Sequence, residues 1–595
     1  MTHYFPSGIP THLDFPARAV PEVLLTSARL WGARIAVADG DEVVTHTELL
    51  ARARAVAADL AAHGIGPGSV VGLHMPNTHW YFPAYYGALF TGAAVTLVNP
   101  LQPAPKLLEQ LADAGASAVV THPAHLGPLE AIAHDLTPAR VLVTPASWSG
   151  SATDEEVARA HALTGATPED GAAEAAPGSR GQGASGAGNV WAMLDAVIDA
   201  RTADGSAAAF EPVLQEPDAV AHYAYTGGTT GKSKGVRVLH RNVLGNVTQM
   251  VAWRLHRRVA RDADGRLELV PIEEAGDPFI RAGETASVQV PPLFHAQGLT
   301  TSNMFLLGGI TLVLAGRFRP ETFVELVQRW DASYTSGNPP MFLSLADHHR
   351  KTGATMPSMR VAVSGAAPLD STAMQRIAEV MPNAVVAEGY GLTEGTCMVT
   401  SSPFTRDALR KTGTVGIPVC DTEIEIRDAD GYTVLPDDSE GELWVRGPQV
   451  TDGYANAPEQ TAAQYVDGWL RTGDIASRDV DGFVRIHDRA KDMLIYKGYN
   501  VYPRELEDVA AGHPEVAQIA ITGRVDGDAG EIPVAFVVPT GGAEGLAAFD
   551  AEAFSAWVAE RVLPYQKIRE VHVVDALPTS AAGKILKTEL RAALG

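Results

Sequence analysis

The sequence contains very little cysteine. Only Cys397 and Cys420 occur in 595 residues, too few for the disulfide framework that stabilises many small secreted proteins. The first residues, Met-Thr-His-Tyr-Phe-Pro, also lack the basic region and apolar core of a secretory signal. Together these absences predict a cytoplasmic protein.

Long hydrophobic runs are absent as well. The longest apolar stretch extends from Met304 to Gly316 and includes three glycines in 13 residues. A membrane-spanning helix needs about 18 or more apolar residues. We therefore expect no transmembrane segment, and we interpret this stretch as a buried strand with its turn.

Positive charge is scarce relative to negative charge. Lysine and arginine number 46 against 70 aspartates and glutamates, which gives a formal net charge of −24. Such a surface repels nucleic-acid backbones and anionic lipid headgroups. The chain is therefore not expected to bind nucleic acid, and an anionic nucleotide would have to meet a local cluster of basic residues.

A glycine-rich loop near the middle of the chain provides such a cluster. Residues 225–235 read Tyr-Thr-Gly-Gly-Thr-Thr-Gly-Lys-Ser-Lys-Gly. Glycines let backbone N–H groups approach anionic oxygens, and the hydroxyl and ammonium groups add further donors. A Walker A motif does not fit, because Thr226 occupies the position of its first glycine. The loop predicts polyphosphate binding, and the alternative is a flexible surface linker.

Six further segments of distinctive sequence follow this loop along the chain. They are 292–295 (Pro-Leu-Phe-His), 364–369 (Ser-Gly-Ala-Ala-Pro-Leu), 388–394 (Glu-Gly-Tyr-Gly-Leu-Thr-Glu), 471–474 (Arg-Thr-Gly-Asp), 488–492 (Asp-Arg-Ala-Lys-Asp) and 583–585 (Gly-Lys-Ile). From about residue 20 onward the chain resembles the adenylate-forming enzymes, the superfamily of acyl-CoA synthetases, peptide-synthetase adenylation domains and luciferases. Gly227 and the segments 447–450 and 497–503 are most similar to bacterial medium- and long-chain fatty acid–CoA ligases.

The pattern of apolar residues predicts an α/β fold. A helical stripe lies within residues 45–64, and short apolar segments at 70–73, 94–98, 118–120 and 141–143 read as buried strands. This alternation is typical of βαβ units with parallel sheet. We expect a large multi-subdomain N-terminal domain with βαβ layers at residues 1–490, and a small α+β C-terminal domain at 491–595.

Two polar stretches interrupt this pattern. Residues 167–188 have no bulky apolar side chain, so we predict a disordered insertion there. Residues 257–284 form a second polar stretch, which either caps the site or decorates the surface.

The resemblance implies adenylation chemistry with ATP, Mg²⁺ and CoA. A carboxylate attacks the α-phosphorus of ATP, which yields an acyl-adenylate and pyrophosphate, and the acyl group then passes to CoA. The implied catalytic residues are Lys584, which would bridge the carboxylate and the α-phosphate, together with His295 and Glu394. Glu394 and Thr229 are the implied Mg²⁺ ligands.

The resemblance also implies how the nucleotide is held. Tyr390 would stack on adenine, Asp474 would accept hydrogen bonds from the ribose hydroxyls, and Arg489 would bind the ribose from the other side. The full implied nucleotide set is Thr226, Gly227, Gly228, Thr229, Thr230, Gly231, Lys234, Gly365, Ala366, Ala367, Glu388, Gly389, Tyr390, Gly391, Thr393, Asp474 and Arg489.

Three further roles follow from the same resemblance. His295 would position substrate and gate the acyl tunnel rather than act as a base, because a carboxylate is already ionised near neutral pH. Lys491 would be the hinge of the C-terminal domain, and Gly498 would face CoA. Small residues, Gly298 and Gly337 among them, would leave room for an alkyl chain.

The resulting hypothesis is an ATP-dependent acid–CoA ligase for a medium- or long-chain fatty acid or a similar hydrophobic acid. One alternative keeps adenylation but transfers the acyl group to an amine or an acyl carrier protein. A non-catalytic nucleotide-binding protein is the alternative from another class. The partners are small molecules, namely the acid, ATP and CoA, and a homodimer is compatible with the sequence.

Overall fold

The structure is a computed structural model, and it describes residues 3–136, 138–165, 190–226, 233–365, 371–497, 499–579 and 585–594. The predicted insertion at 167–188 lies outside these residues. No helix within the described ranges is both long enough and apolar enough to cross a membrane.

The first part of the chain alternates helices and strands. Its elements are α1 Pro21–Trp31, β1 Ile35–Asp39, β2 Glu42–Thr45, α2 His46–Ala62, β3 Val70–His74, α3 Tyr81–Phe90, β4 Ala94–Val98, α4 Ala104–Ala114, β5 Ala116–Thr121, α5 Leu126–Leu136, β6 Arg140–Val143, α6 Asp154–Thr164, β7 Trp191–Met193, α7 Leu194–Ala203, α8 Ser206–Ala209 and β8 Val220–Thr226. Helix α2 begins at a capping box formed by Thr45 and Glu48. It then buries the predicted stripe, with Leu49, Val56 and Leu60 in the core.

The middle of the chain continues this alternation. Its elements are β9 Lys234–Leu239, α9 His240–Leu255, β10 Arg257–Arg261, β11 Leu267–Pro271, β12 Ala286–Gln289, α10 Ala296–Gly308, β13 Thr311–Leu314, α11 Pro320–Trp330, β14 Tyr334–Gly337, α12 Pro339–Thr352, β15 Val361–Ser364, α13 Ser371–Val380, β16 Val385–Tyr390, β17 Thr400–Ser401 and β18 Ile417–Pro418.

The last part of the chain is richer in antiparallel strands. Its elements are β19 Glu423–Arg427, β20 Gly441–Arg446, α14 Pro458–Gln464, β21 Tyr465–Val466, β22 Trp469–Arg478, β23 Val484–Arg489, β24 Leu494–Tyr496, β25 Tyr499–Val501, α15 Pro503–Ala510, β26 Val516–Asp526, β27 Gly530–Pro539, α16 Gly542–Ala548, α17 Ala551–Ala559, β28 Glu570–Val573 and α18 Lys587–Ala592.

Two mostly parallel sheets form the large N-terminal domain. The first has the strand order β7-β6-β5-β3-β4-β8-β9, and the second has the order β18-β17-β16-β15-β14-β12-β13-β1-β2. One apolar core joins the helices and strands of both sheets. Because parallel strands end at the same edge of a sheet, the loops after β14, β15 and β16 lie side by side.

Two five-stranded sheets and the two-stranded sheet β10–β11 complete the fold. Strands β19 to β23 form an antiparallel sheet, and strands β24 to β28 form a separate sheet with its own apolar core. The expected α/β architecture, a large N-terminal domain followed by a small α+β domain, is therefore confirmed. The exact boundary near residue 490 stays a prediction.

The interpretation of 304–316 as a strand with its turn is only partly right. Met304 to Gly308 form the end of helix α10, and only Thr311–Leu314 is a strand. A continuously apolar run does not distinguish a buried helix from a buried strand, because both faces of each are covered.

The polar stretch at 257–284 begins with a two-stranded hairpin, β10–β11. The Arg261 guanidinium donates to the Pro16 carbonyl and to Glu22, each over 2.8 Å. The hairpin thus fastens the N-terminal segment and α1, which supports the surface role over a cap on the site.

Candidate active site

The two ends of the glycine-rich loop are held side by side. Strand β8 ends at Thr226, strand β9 begins at Lys234, and these two residues are paired in the sheet. The Ser233 hydroxyl donates to the Thr226 carbonyl over 2.7 Å. The predicted phosphate-binding residues Gly227, Gly228, Thr229, Thr230 and Gly231 lie outside the described residues.

Glu394 lies beside the exit of this loop. The Lys234 ammonium is 5.0 Å from the centre of the Tyr454 ring, and the Tyr454 hydroxyl donates to Glu394 Oε1 over 2.8 Å. Burial raises the pKa of Tyr454, and the Glu394 carboxylate raises it further, so the hydroxyl remains a donor. The Thr451 N–H and hydroxyl both bond the Glu394 carbonyl.

Tyr390, Asp474 and Arg489 form a second group. Asp474 on β22 and Arg489 on β23 are cross-strand partners, which places Arg489 Nε 3.4 Å from the Asp474 carboxylate. The Tyr390 hydroxyl donates to the other Asp474 oxygen over 2.5 Å. Burial would lower the pKa of Arg489, but the surrounding negative charge, including Asp474 and Glu394, raises it.

The two groups lie near each other, because Glu394 follows Tyr390 by only four residues. The charges of both Asp474 and Glu394 raise the pKa of Arg489. These residues come from distant parts of the chain, yet they place a carboxylate, a guanidinium and an aromatic ring next to a lysine at the glycine-rich loop. Such a set suits a nucleotide, whose ribose offers hydroxyls and whose phosphates carry negative charge.

The segment from Glu388 to Gly391 forms one wall of the site. Glu388 is buried within β16, and Gly389 and Tyr390, which end this strand, pair with β17. A Cβ at Gly391 would lie 1.5 Å from the Cys397 carbonyl oxygen, so only glycine allows this close approach. Thr393 follows in a short 3₁₀ turn that contains Glu394.

Gly365 is placed at the neighbouring strand end. Its N–H donates to the Gly337 carbonyl over 3.0 Å, which joins the loops after β14 and β15. Ala366 and Ala367, predicted to approach adenine, lie outside the described residues.

His295 is exposed and occupies the N-cap position of α10 without a side-chain capping bond, and its role at an acyl tunnel stays a prediction. The interpretation of Gly298 and Gly337 as space for an alkyl chain is wrong. A Cβ at Gly298 would lie 2.0 Å from the Pro292 carbonyl oxygen, and a Cβ at Gly337 would lie 2.5 Å from the Met341 side chain. Protein atoms fill the space beside both glycines.

The C-terminal domain contacts the large domain close to Arg489. The Arg504 N–H donates to Asp488 over 3.0 Å, and His487 Nδ1 lies 3.3 Å from Glu505. The predicted hinge, Lys491, is exposed and lies in the turn between these contacts. Gly498 and Lys584, the predicted CoA-side and catalytic residues, lie outside the described residues.

The fit of a magnesium ion can be judged from Glu394. Tyr454 engages one carboxylate oxygen, and the other accepts no hydrogen bond from the part of the chain that the structure describes. An oxygen ligand of this kind suits Mg²⁺ bound also to phosphate oxygens. A second group of potential ligands, Glu440, His487 and Glu505, has ligand atoms within 4.8 Å of one another.

Sequence reasoning missed two residues of this site. Tyr454 and Thr451 hold the Glu394 side chain and backbone respectively. The only signal for Tyr454 was an aromatic residue in a polar loop, in the sequence Thr-Asp-Gly-Tyr-Ala-Asn. That signal does not say which distant carboxylate the tyrosine meets.

Two family models together match most of the chain. Residues 24–455 match the model of the AMP-binding enzyme family, and residues 505–584 match the model of the AMP-binding enzyme C-terminal domain.

Named relatives cover most of the chain. The chain is 32% identical to 4-coumarate–CoA ligase 5 of Oryza sativa subsp. japonica, over 93% of this chain and 90% of the relative. It is 31% identical to the long-chain-fatty-acid–CoA ligase of Yersinia pestis, over 99% and 96% respectively. The structure of amide bond synthetase McbA from Marinactinospora thermotolerans superposes with a TM-score of 0.74 at 25% identity, over 97% of this chain and all of the other.

Proposed function

The chain belongs to the AMP-binding enzyme family, and on that premise we propose that it activates a hydrophobic carboxylic acid as acyl-AMP and transfers the acyl group to CoA. This family contains acid–CoA ligases and other adenylating enzymes, so the protein is an enzyme that uses ATP. The class of acid and the use of CoA as acceptor are parts of this proposal.

The observation that carries the proposal is the convergence of two groups of residues. Tyr390, Asp474 and Arg489 form one group, and Lys234 and Glu394 form the other. Asp474 would accept hydrogen bonds from the ribose hydroxyls, Arg489 would bind the ribose from the other side, and Lys234 would neutralise phosphate charge. Fixed groups of this kind lower the barrier to attack on phosphorus because they need no rearrangement as charge develops.

Each residue of this chain has a distinct task in the proposal. Tyr454 orients the Glu394 carboxylate, and Thr451 fixes the backbone that carries it. When bound, Mg²⁺ would supply charge neutralisation at the phosphates. Tyr390 would present its ring to adenine while its hydroxyl keeps Asp474 in place.

Lys584 remains the proposed adenylation residue. The residues on either side of its segment, Thr579 and Ile585, pair in an antiparallel bridge. Three residues after Lys584, the Lys587 ammonium contacts Glu507 over 2.8 Å. The negative charge of nearby Asp488 also raises the pKa of Lys587. Helix α18, which begins at Lys587, is thus held beside the strand that carries Arg489.

The experiment measures products. Purified protein with ATP, Mg²⁺, CoA and a panel of fatty and hydroxycinnamic acids should release AMP and pyrophosphate and form acyl-CoA. Release of ADP and phosphate would overturn the mechanism. Lys584→Ala should abolish acyl-adenylate formation, whereas Lys351→Ala, at an exposed position of α12, should retain it.

One structural comparison supports an alternative acceptor to CoA. The similarity to amide bond synthetase McbA supports an amine acceptor as the alternative. Mass spectrometry of reactions with an acid pool and either CoA or an amine pool separates the two. Amide formation without thioester formation would replace the proposed CoA step and leave adenylation intact.

A further inference from the structure

Glu440, His487 and Glu505 form a cluster of possible metal ligands where the two domains meet. Each residue offers one ligand atom, and these atoms lie within 4.8 Å of one another. No other group of three histidine, cysteine or acidic side chains is gathered in this way in the part of the chain that the structure describes. We call these three residues the interdomain cluster, and it is separate from Glu394 in the candidate active site.

Three neighbouring strands bring Glu440 and His487 together. Glu440 directly precedes β20, and Gly441, the first residue of that strand, pairs with Ala476 of β22. Ser477 follows Ala476, and its hydroxyl lies 2.9 Å from His487 Nε2 on β23. The register of this antiparallel sheet therefore places two residues that are remote in sequence on either side of β22.

The third member of the cluster comes from the C-terminal domain. Glu505 lies in the first turn of α15, and Leu506 and Ala510 of the same helix belong to the core of that domain. Glu505 Oε1 lies 3.3 Å from His487 Nδ1. Two ligands of a tetrahedral Zn²⁺, each about 2.0 Å from the ion, are about 3.3 Å apart. The two side chains thus already have the spacing of two ligands on one ion.

The two carboxylates of the cluster have no basic partner other than the histidine. Neither Glu440 nor Glu505 forms an ion pair with a lysine or an arginine among the described residues, and the one ion-pair contact of Glu505 is with His487. Two carboxylates that lie this close repel each other unless a positive charge lies between them. A divalent cation would supply that charge.

The imidazole of His487 is buried and held in one orientation. Its side chain is only 9% exposed, and its Nε2 faces the Ser477 hydroxyl, which leaves Nδ1 on the side of Glu505. A metal-bound histidine usually donates its other ring N–H to an oxygen acceptor, and this bond fixes the ring. The Ser477 hydroxyl can serve as that acceptor. Gln566 supports the other ligand, since its amide donates to Glu505 Oε2 over 3.4 Å.

We propose that Glu440, His487 and Glu505 bind one Zn²⁺ ion, with water as the fourth ligand on the exposed side of the cluster. An imidazole with carboxylates and one open position is a ligand set that Zn²⁺ accepts. Because the ligands come from both domains, the bound ion holds the C-terminal domain against the antiparallel sheet of the large domain. Zn²⁺ therefore slows every step in which the C-terminal domain must move about the predicted hinge at Lys491. This consequence for turnover, unlike the metal site itself, rests on the proposed function.

The first test measures binding to the full chain after treatment with a chelator. Isothermal titration calorimetry with Zn²⁺ should show one ion per chain in the wild-type protein. Glu440→Gln and Glu505→Gln should each weaken binding at least about tenfold, and Ser477→Ala, which removes the outer partner of the histidine, should weaken it about tenfold. Glu459→Gln, at an exposed position of α14, is the matched control and should bind Zn²⁺ as the wild-type protein does.

Three outcomes would overturn the metal site. They are no binding to the wild-type protein, an unchanged affinity in Glu440→Gln, and an unchanged affinity in Glu505→Gln, which would remove the C-terminal domain from the ligand set. His487→Gln should also abolish binding. Because His487 is buried, that variant can fail to fold, and the exposed Glu440 still decides the question. Visible absorption of Co²⁺ in place of Zn²⁺ should report a four-coordinate site in the wild-type protein and not in Glu440→Gln.

The second test measures turnover at a fixed concentration of free Zn²⁺, set with a metal buffer because ATP also binds the ion. At about ten times Kd, acyl-CoA formation by the wild-type enzyme should fall about tenfold. Glu440→Gln, compared with its own rate without Zn²⁺, should be inhibited much less. Equal inhibition of both proteins would overturn the effect on domain movement. If no acid is turned over, the proposed function fails, whereas the calorimetric result still decides the metal site.

Discussion

Single side chains at the site are held by bonds that the sequence does not reveal. The Tyr390 hydroxyl bonds Asp474, the residue proposed to bind ribose. Burial and Asp474 both raise the pKa of Tyr390, so the hydroxyl remains a donor at every physiological pH. The Tyr390 hydroxyl therefore orients the Asp474 carboxylate, whereas stacking of its ring on adenine stays a prediction.

Removal of that hydroxyl should weaken ATP use but leave the fold intact. Tyr390→Phe keeps the ring and loses a hydrogen bond to a charged acceptor, which is worth about 1.5 kcal/mol. We expect kcat/KM for ATP to fall about tenfold. Steady-state kinetics check this, with Tyr432→Phe, an exposed tyrosine, as the control. Unchanged ATP kinetics in Tyr390→Phe would contradict the role of the hydroxyl.

A single added methyl group at Gly391 should lower both the stability and the activity of the protein. The added Cβ would overlap the Cys397 carbonyl oxygen, so the segment from Tyr390 to Glu394 must move. Gly391→Ala should lower the free energy of unfolding by about 2 kcal/mol or more and abolish measurable activity. Urea unfolding and pyrophosphate release provide the two measurements.

The control for Gly391→Ala is Gly127→Ala in α5. A Cβ there meets no atom within 4 Å, and alanine is favoured over glycine inside a helix by up to about 1 kcal/mol. Equal destabilisation of both variants would mean that the close approach at Gly391 has no special cost.

At the scale of elements, the short helix α18 is fastened by ion pairs that include Lys587–Glu507 and Arg591–Asp492. It has six residues, too few to be stable alone. Its Lys587 ammonium contacts Glu507 of α15 over 2.8 Å. Burial would lower the pKa of Lys587, but Glu507 and Asp488 raise it. The pair therefore holds the segment after Lys584 against both α15 and β23.

Lys587→Met should leave the Glu507 carboxylate buried without its partner. We expect the free energy of unfolding of the C-terminal domain to fall by about 3 kcal/mol. The double variant Glu507→Gln, Lys587→Met should regain part of this loss, because the amide carries no charge. Denaturant unfolding measured by Trp557 fluorescence tests both variants, and a double variant as unstable as the sum of the singles would refute the coupling.

At the scale of the whole molecule, buried histidines link stability to pH. Burial lowers the pKa of His74, His122 and His222 to about 3, and that of His46 and His240 to about 4. These residues stay neutral in the folded protein but gain a proton in the unfolded chain below about pH 6.5. Their contribution to stability is complete above that pH and is lost as the pH falls toward 4. Asp488 and Glu507, whose pKa values burial raises, act in the opposite direction.

The free energy of unfolding should thus fall steeply between pH 6.5 and pH 4.5, by about 1.4 kcal/mol per pH unit for each such histidine. His122→Asn keeps an acceptor for the Ala124 N–H. It should reduce the change in unfolding free energy per pH unit by the contribution of one histidine. Urea unfolding across this pH range provides the measurement. His134→Asn, at an exposed site, should leave the slope unchanged, and the same slope in His122→Asn would contradict the assignment.

Some features of this protein follow from the sequence by itself. Strand β4 at Ala94–Val98 was predicted with its observed bounds, because short β-branched runs between helical stripes report local structure. The segments that carry Tyr390, Asp474 and Arg489 were identified by their resemblance to a family. The order of the large and small domains followed from the change in sequence pattern after Asp488.

Only the tertiary structure decided how distant residues meet. The register of β22 against β23 sets Asp474 beside Arg489, and a loop distant in sequence from Glu394 supplies Tyr454. Gly298 was misread because its missing side chain makes room for backbone rather than ligand. Periodicity and motifs are local properties of the chain, whereas pairing, burial and charge compensation depend on which distant segments pack together.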